Sequence, residues 1–232
     1  MNLFTLTPVE AEALSLSLRV ACWSVLCSLP CGIVLAWVLS RWNFPGKSLL
    51  DGVVHLPLVL PPVVIGYLLL VTLGRNGVVG KMLYDTFGIS IAFTWKAAVA
   101  ASVVMAFPLL VRAVRLSFDA ADQSLEMAAR TLGAGPWRVF FTITLPLAVP
   151  GIISGMVLAF ARSLGEFGAT ITFAANIPGQ TQTLPLALFN MTQVPDGEAA
   201  AMRLCIIAVA VSLAALIGAN VLEKLFTRHL GG

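Results

Sequence analysis

Residues 126–146 read EMAARTLGAGPWRVFFTITLP, and long apolar segments lie before and after this stretch. Small, turn-forming and apolar residues stand in it at fixed separations: Ala128, Ala129, Gly133, Ile143, Leu145 and Pro146. Glu126 and Leu132 belong to the same candidate site. A short charged loop between apolar segments is placed to contact a soluble partner. We therefore interpret residues 126–146 as a docking element rather than as a catalytic site.

Residues that commonly begin and end helices divide this loop into two helices. The candidates are Asp122 or Ser124 at the start of the first, Gly133 or Gly135 at its end, and Pro136 at the start of the second. This pattern predicts a helix–turn–helix at the membrane surface. One face of the first helix carries an apolar ridge of Leu125, Ala128, Ala129 and Leu132. We favour insertion of this ridge into a partner's groove over simple contact with lipid, because lipid contact does not require the residues after the ridge at fixed offsets.

The composition indicates a membrane protein. Of its 232 residues, 59% are hydrophobic and only 11% charged, and the mean hydropathy is +0.94. An α-helix needs roughly 20 mostly apolar residues to cross a bilayer, and five segments qualify, near 12–40, 50–73, 93–115, 147–172 and 203–225. We predict one all-α transmembrane domain over residues 1–232, with a cytoplasmic loop at residues 117–146.

The distribution of basic residues predicts the orientation of the chain. One side carries Arg41, Lys47, Arg112, Arg115, Arg130, Arg138, Lys224 and Arg228, whereas the other carries Arg75, Lys81, Lys96 and Arg203. The N-terminal tail holds Glu10 and Glu12 and no basic residue before Arg19. We expect the N-terminus outside, the C-terminus in the cytoplasm, and no cleaved signal peptide.

The sequence gives no support for nucleotide hydrolysis by this chain. Gly46-Lys47-Ser48 resembles the end of a phosphate-binding loop, but Arg41 stands where that loop needs its first glycine. A metal site is not expected either, because Cys22, Cys27, Cys31 and Cys205 lie inside predicted crossings without ligand spacing. We therefore expect a non-enzymatic chain without a metal or cofactor of its own.

Two positions within the predicted crossings are candidates for the path of a transported solute. Arg162 and Glu166 lie one turn apart in the fourth crossing, where ionisable residues are costly and usually functional. They either brace the helices or act directly on an anion. In the second crossing, Leu60, Pro61 and Pro62 predict a kink or an opening of the helix. That break either lines the path or only shapes the packing.

The docking loop resembles the cytoplasmic loop of permease subunits in ATP-binding-cassette importers, which reads Glu-Ala-Ala, three residues, Gly, nine residues and Ile-x-Leu-Pro. Met127 stands where that Glu is usual, and Glu126 lies one position earlier. Residues 162–169, followed by residues 176–179, resemble permeases for tetrahedral oxyanions, the molybdate and sulfate groups. Residues 44–47, 55–62 and 129–135 look most like molybdate permeases.

This resemblance, which extends over nearly the whole chain, implies the fold of a type I importer permease with five core helices. It also implies a homodimer in a bacterial inner membrane, two ATPase subunits that bind ATP and Mg, and an external oxyanion-binding protein; no nucleic acid is expected. The Pro- and Gly-rich segment 176–200, with a short helix near 185–191, would face the binding protein or only connect two helices. Residues 75–89 offer a competing contact. Molybdate, tungstate, and sulfate or thiosulfate remain open as substrates.

Two other classes of function have less support. A secondary transporter or channel often shows internal repeats with paired broken helices, and no second copy of either motif is evident. An intramembrane enzyme needs a nucleophile, a metal or an acid–base cluster. Arg162, Glu166, Asp51 and His55 do not form one by their spacing.

Overall fold

The computed structural model describes the backbone of residues 7–230 and the side chains of residues 7–218 and 221. Lys224 and Arg228, which contribute to the expected orientation, lie outside the described side chains. The helices are α1 (Pro8–Arg41), α2 (Lys47–Val59), α3 (Pro62–Leu73), α4 (Val78–Phe87), α5 (Trp95–Ala120), α6 (Gln123–Thr131), α7 (Pro136–Val139), α8 (Leu145–Leu147), α9 (Val149–Leu164), α10 (Gly168–Phe173), α11 (Leu184–Thr192) and α12 (Glu198–Leu230), with a π-helical turn at Phe140–Thr144. The described part of the chain is all-helical, as the sequence predicts.

A capping box fixes the start of α1. The Thr7 hydroxyl accepts a hydrogen bond from the Glu10 backbone N–H, and the Glu10 carboxylate accepts one from the Thr7 backbone N–H. Pro8 occupies the first turn, where its missing N–H has no intrahelical partner to lose. The helix then continues for 34 residues to Arg41.

The core is a bundle of α1, α5 and α9, each of which packs against the other two. Small residues at the contacts, including Ala36 and Ala159, bring the helix backbones close together. The Ser24 and Ser163 hydroxyls lie 2.6 Å apart and join α1 to α9 inside the bundle. Both hydroxyls are buried between largely apolar helices. Their contact therefore favours one register of α1 against α9.

Within the described part of the chain, three helices are long and apolar enough to cross a membrane: α1, α5 and the part of α12 from Glu198 to Gly218. The number of candidate spans reaches five when each of two bent helix pairs is counted as one. In the first pair, α2 and α3 meet at 113°. Leu60 has extended backbone angles there and Pro61 precedes α3, so the predicted opening of the second crossing is confirmed.

Helix α11 and the beginning of α12 pack at the end of the bundle where α1 begins. The predicted short helix near residues 185–191 is confirmed as α11, although Leu184, Leu186 and Ala187 on it are buried rather than exposed. At this same end Arg203 of α12 forms an ion pair with Glu10 of α1, with 3.0 Å between Nη2 and Oε1. The beginnings of α1 and α12 therefore meet, and the docking loop follows the far end of α5.

Candidate functional site: the docking loop and the broken helices

The first helix of the docking loop, α6, is capped at both ends by residues next to it in the sequence. Asp122 caps its start, because the Asp122 carboxylate accepts a hydrogen bond from the Ser124 backbone N–H at 2.8 Å. That hydrogen bond lowers the pKa of Asp122 below its ordinary value. At the other end Gly133 has φ +85°, and the N–H groups of Gly133 and Ala134 reach the carbonyls of Arg130 and Ala129. This is a Schellman motif, and it confirms the predicted helix–turn–helix.

The predicted apolar ridge lies on the outside of α6. Leu125 is 48% exposed and Leu132 is 88% exposed, and Ala128 between them is also exposed. Ala129 is half-buried at the edge of the ridge. Apolar side chains this exposed at the tip of a loop form a surface that another chain can cover.

Glu126 lies on the opposite side of α6 and points into the protein. Its carboxylate accepts hydrogen bonds from Arg41 Nη2 at 2.7 Å and from the Thr144 hydroxyl at 3.1 Å. The Arg41 and Glu126 side chains are each only 10% exposed. Glu126 therefore joins α6 to the end of α1 and to the π-helical turn, and any effect it has on docking acts through the position of the ridge.

The second half of the loop continues into α9 without an intervening coil. Leu145 donates its backbone N–H to the Phe140 carbonyl across the π-helical turn, and Pro146 and Pro150 follow without N–H donors of their own. The helical run Pro136–Leu147 meets α9 at 65°. Leu145 packs against the core cluster of α1, α5 and α9, and Ile143 is half-buried. The loop is thus joined to a core helix both along the chain and by packing.

Arg162 and Glu166 form a close ion pair at the end of α9. Arg162 Nη1 lies 2.6 Å from Glu166 Oε2, without the angles of a hydrogen bond, and the Glu166 side chain is only 1% exposed. Glu166 Oε1 accepts a hydrogen bond from the Ala169 backbone N–H at 2.8 Å, which caps the start of α10. Arg162 is 26% exposed, so its guanidinium reaches the surface of the chain while Glu166 does not.

The break between α9 and α10 contacts the break between α2 and α3. A Cβ added to Gly168 would lie 2.7 Å from Pro62 Cβ, and one added to Gly66 would lie 2.6 Å from the Ala169 carbonyl oxygen. Leu60 is half-buried and Pro61 is exposed. The structure therefore brings Leu60, Pro61 and Pro62 to the same break region as Glu166, which the spacing along the sequence does not reveal.

Sequence reasoning missed two contacts that position these residues. The first is the Arg41–Glu126 ion pair, because its members lie 85 residues apart. The second is the Ser24–Ser163 contact next to Arg162, which joins two ordinary serines of apolar helices. Single-sequence periodicity contains no signal for either. Among the described side chains, no group of three or more His, Cys, Asp or Glu residues is placed to hold a metal ion.

The structure thus joins an exposed apolar loop to a bundle of broken and continuous apolar helices. Residues 28–229 match the family described as binding-protein-dependent transport system inner membrane component. The chain belongs to this family. It is a multi-pass protein of the inner membrane and a transport subunit.

Relatives with a known role resemble the chain over almost its full length. The molybdenum transport system permease protein ModB of Escherichia coli K12 is 60% identical over 97% of this chain and 99% of its own length. ModB of Haemophilus influenzae is 59% identical over 96% of this chain and 97% of its own. The sulfate transport system permease protein CysT of Escherichia coli K12 is more distant, at 37% identity over 87% of this chain and 72% of its own.

Solved structures show the same fold. A bacterial ABC transporter involved in the import of the acidic polysaccharide alginate matches with a TM-score of 0.73 and 19% identity, over 94% of this chain and 80% of that one. The inward-facing MetNI methionine ABC transporter matches with a TM-score of 0.67 and 15% identity, over 94% of each chain. The chain therefore has the fold of ABC importer permeases.

Proposed function

We propose that this chain is the permease subunit of an ATP-driven importer for molybdate, and that a separate ATPase subunit binds ATP and Mg. The observation that carries this proposal is the docking loop, which exposes an apolar ridge on its outside and continues into α9 without an intervening coil. The 60% identity to a molybdenum permease supports the choice of substrate. Sulfate and tungstate are the alternative substrates.

In this proposal the ATPase seats on the ridge formed by Leu125, Ala128, Ala129 and Leu132. Gly133 shapes the turn that presents the ridge, whereas Glu126, Ile143, Leu145 and Pro146 hold the loop on the bundle. When two ATPases close on ATP, the loop moves and α9 moves with it, because no flexible coil separates them. A rigid element with two arrangements is what such coupling requires.

The complete importer would contain two copies of this chain, two ATPase subunits and an external oxyanion-binding protein. The N-terminus would lie outside and the C-terminus in the cytoplasm. A dianion that enters against an inside-negative potential meets an opposing energy of about 2 × 2.3 kcal/mol per 100 mV. Import of such an ion therefore needs an energy source, which ATP would supply here, and tight binding can be left to the external protein.

The break region of Leu60, Pro61, Pro62, Arg162 and Glu166 would border the path of the anion. Arg162 is the member with a charge that suits an oxyanion, and its partly exposed guanidinium is available to a passing ligand. The buried Glu166 holds Arg162 in place and keeps the pair neutral overall. A passing anion would thus be attracted by the Arg162 guanidinium but would not be bound tightly, because the pair has no net charge.

The test is uptake of radiolabelled molybdate into proteoliposomes that hold the complete importer, with binding protein outside and ATP inside. We expect ATP-dependent uptake that tungstate inhibits at similar concentrations and that sulfate inhibits only in large excess. Uptake of sulfate in preference to molybdate would reassign the substrate. Uptake that persists without the ATPase would instead indicate a secondary transporter.

A further inference from the structure

A cavity of about 360 Å³ lies behind the docking loop, between the end of α1, the inner side of α6 and the π-helical turn. Its lining includes Trp37, Arg41, Glu126, Arg130, Phe140 and Thr144. The lining is mixed and contains both charged groups and aromatic rings. The proposed function of the chain does not use this cavity.

Arg41 is an incompletely satisfied buried cation in this cavity. Its side chain is nine-tenths buried, and Nη2 donates to Glu126. Nε and Nη1 are also buried, and neither has a hydrogen-bond acceptor among the described residues. Buried donors without acceptors are uncommon and costly, above all on a charged group. The two free donors therefore indicate a ligand that accepts hydrogen bonds.

The charges around the cavity favour an anion. Arg41 and Arg130 contribute two positive charges and Glu126 contributes one negative charge, which leaves an excess of one positive charge at the lining. An oxyanion satisfies guanidinium donors well, because its oxygens accept several charge-assisted hydrogen bonds at once. A neutral or cationic ligand would leave this excess uncompensated.

The position of the cavity favours the membrane over the ATPase as the source of that anion. Gln123, Glu126, Met127 and Arg130 line it at i, i+3, i+4 and i+7 spacing. The docking ridge has the same spacing two residues later, which places it on roughly the opposite face of α6. A partner seated on the ridge would therefore leave the cavity uncovered.

Aromatic rings mark this position as the membrane–water boundary. Trp37 lies 5.8 Å from Trp42 and 6.4 Å from Trp137, and 4.9 Å from Phe140, measured between ring centroids. Clusters of tryptophan at the end of a membrane helix are typical of the headgroup region. Basic pockets at that depth bind the headgroups of anionic lipids.

We propose that the cavity is a binding site for a tetrahedral oxyanion, which the phosphate of an anionic lipid headgroup supplies. The phosphate accepts hydrogen bonds from Arg41 Nε and Nη1 and faces Arg130 across the cavity. The bound lipid ties α6 to the end of α1 at the base of the docking loop. Lipid composition then controls how firmly the loop is held.

The test uses native mass spectrometry of the whole complex as it purifies from the membrane, after removal of lipid and titration with phosphatidylglycerol. Arg41→Gln is expected to weaken phosphatidylglycerol retention about a hundredfold, because two charge-assisted hydrogen bonds are lost. Glu126→Gln is expected to strengthen retention, since a competing negative charge is removed. Arg138→Gln is the matched control, because Arg138 is an exposed arginine of the same loop outside the cavity lining.

The opposite signs of these two changes separate a binding site from a structural role. Arg41→Gln and Glu126→Gln both disturb the same ion pair, so equal losses of retention would overturn the proposal. Retention that is the same in Arg41→Gln and in the unaltered protein would also overturn it. Arg41→Lys keeps the charge and is expected to retain part of the binding if Arg41→Gln folds poorly.

A second arm of the titration distinguishes the two sources of the anion. Inorganic phosphate at millimolar concentration is added to the complex with phosphatidylglycerol bound. Retained lipid assigns the site to the headgroup, whereas displacement that depends on Arg41 assigns it to a soluble oxyanion. Because the readout is lipid mass and not transport, failure here leaves the proposed importer function intact.

Discussion

At the scale of single residues, the ion pair between Arg162 and Glu166 stabilises the end of α9. The Arg162 side chain is 26% exposed and the Glu166 side chain 1% exposed. Glu166 therefore needs its partner's charge more than Arg162 does, because water can solvate part of Arg162. Glu166 is buried among helices and has Arg162 as its only cationic partner among the described side chains. Removal of the arginine alone would therefore leave a carboxylate without compensation.

We expect Arg162→Gln to destabilise the chain by roughly 3 kcal/mol, the usual result of breaking one side of a buried ion pair. The Arg162→Gln, Glu166→Gln double variant should regain most of this loss, because no buried charge remains. Thermal unfolding of the purified importer in detergent measures both. If the single and double variants unfold at the same temperature, the pair does not stabilise this break.

At the scale of elements, α6 depends on its caps more than on its length. It has nine residues, too few for an isolated helix to be stable in water. Asp122 and the Schellman turn at Gly133 satisfy backbone groups at its two ends. The stability of the docking ridge thus rests on residues that do not belong to the ridge.

Asp122→Ala is expected to speed hydrogen exchange of the α6 amides several-fold, since the Ser124 N–H loses its acceptor. Asp85→Ala, which removes an exposed acid of α4, serves as the control. The lowered pKa of Asp122 also fixes the pH dependence. The cap is fully present above the unfolded pKa and is lost as pH falls through the folded pKa, so its contribution to exchange protection should stay constant between about pH 8 and pH 5. Loss of protection across that range in the unaltered protein alone would contradict this assignment.

The two helix breaks form a second element-level feature, because they support each other. Gly66 of α3 and Gly168 of α10 allow the backbones to touch at Ala169 and Pro62. Broken helices persist inside membranes only against protein or water. Each break here packs in part against the other.

Gly66→Ala is expected to destabilise the chain by roughly 1–3 kcal/mol and to lower transport, because its Cβ would overlap a backbone carbonyl. Gly52→Ala is the matched control in α2, where the added Cβ meets open space. The control should be neutral or stabilising by up to about 1 kcal/mol. Thermal unfolding measures the difference, and equal effects of the two substitutions would show that the breaks are not in tight contact.

For the whole molecule, local rules predicted most of the elements and few of their contacts. Composition indicated the membrane, prolines predicted the opening at residues 60–62, and capping residues predicted the helix–turn–helix of the loop. These features depend on residues near each other in sequence. They could therefore be predicted before the tertiary structure.

Which residues of the loop face outward and which face the bundle could not be predicted in this way. Glu126 stands among the residues of the loop motif, yet it pairs with Arg41 and faces the bundle. Its direction depends on where α1 ends relative to α6, which is a property of the tertiary packing. The contact of the two helix breaks depends likewise on α3 and α10, which lie about a hundred residues apart in the chain.

At this scale the central claim is that a partner ATPase drives the bundle through the outer ridge of α6. The residue for its test is Leu132, which is 88% exposed and makes little contact within the chain. Leu132→Asp therefore changes the ridge with little effect on the fold. Gly135→Asp is the control, because it adds the same charge in the same turn at a helix N-cap, where Asp is favourable.

The most direct measurement is molybdate-stimulated ATP hydrolysis in proteoliposomes that contain this chain, its ATPase subunits and its binding protein. The two variants are compared at equal amounts of inserted permease. The account predicts that Leu132→Asp loses most of the stimulation while Gly135→Asp keeps it. Full stimulation in Leu132→Asp would contradict coupling through this loop.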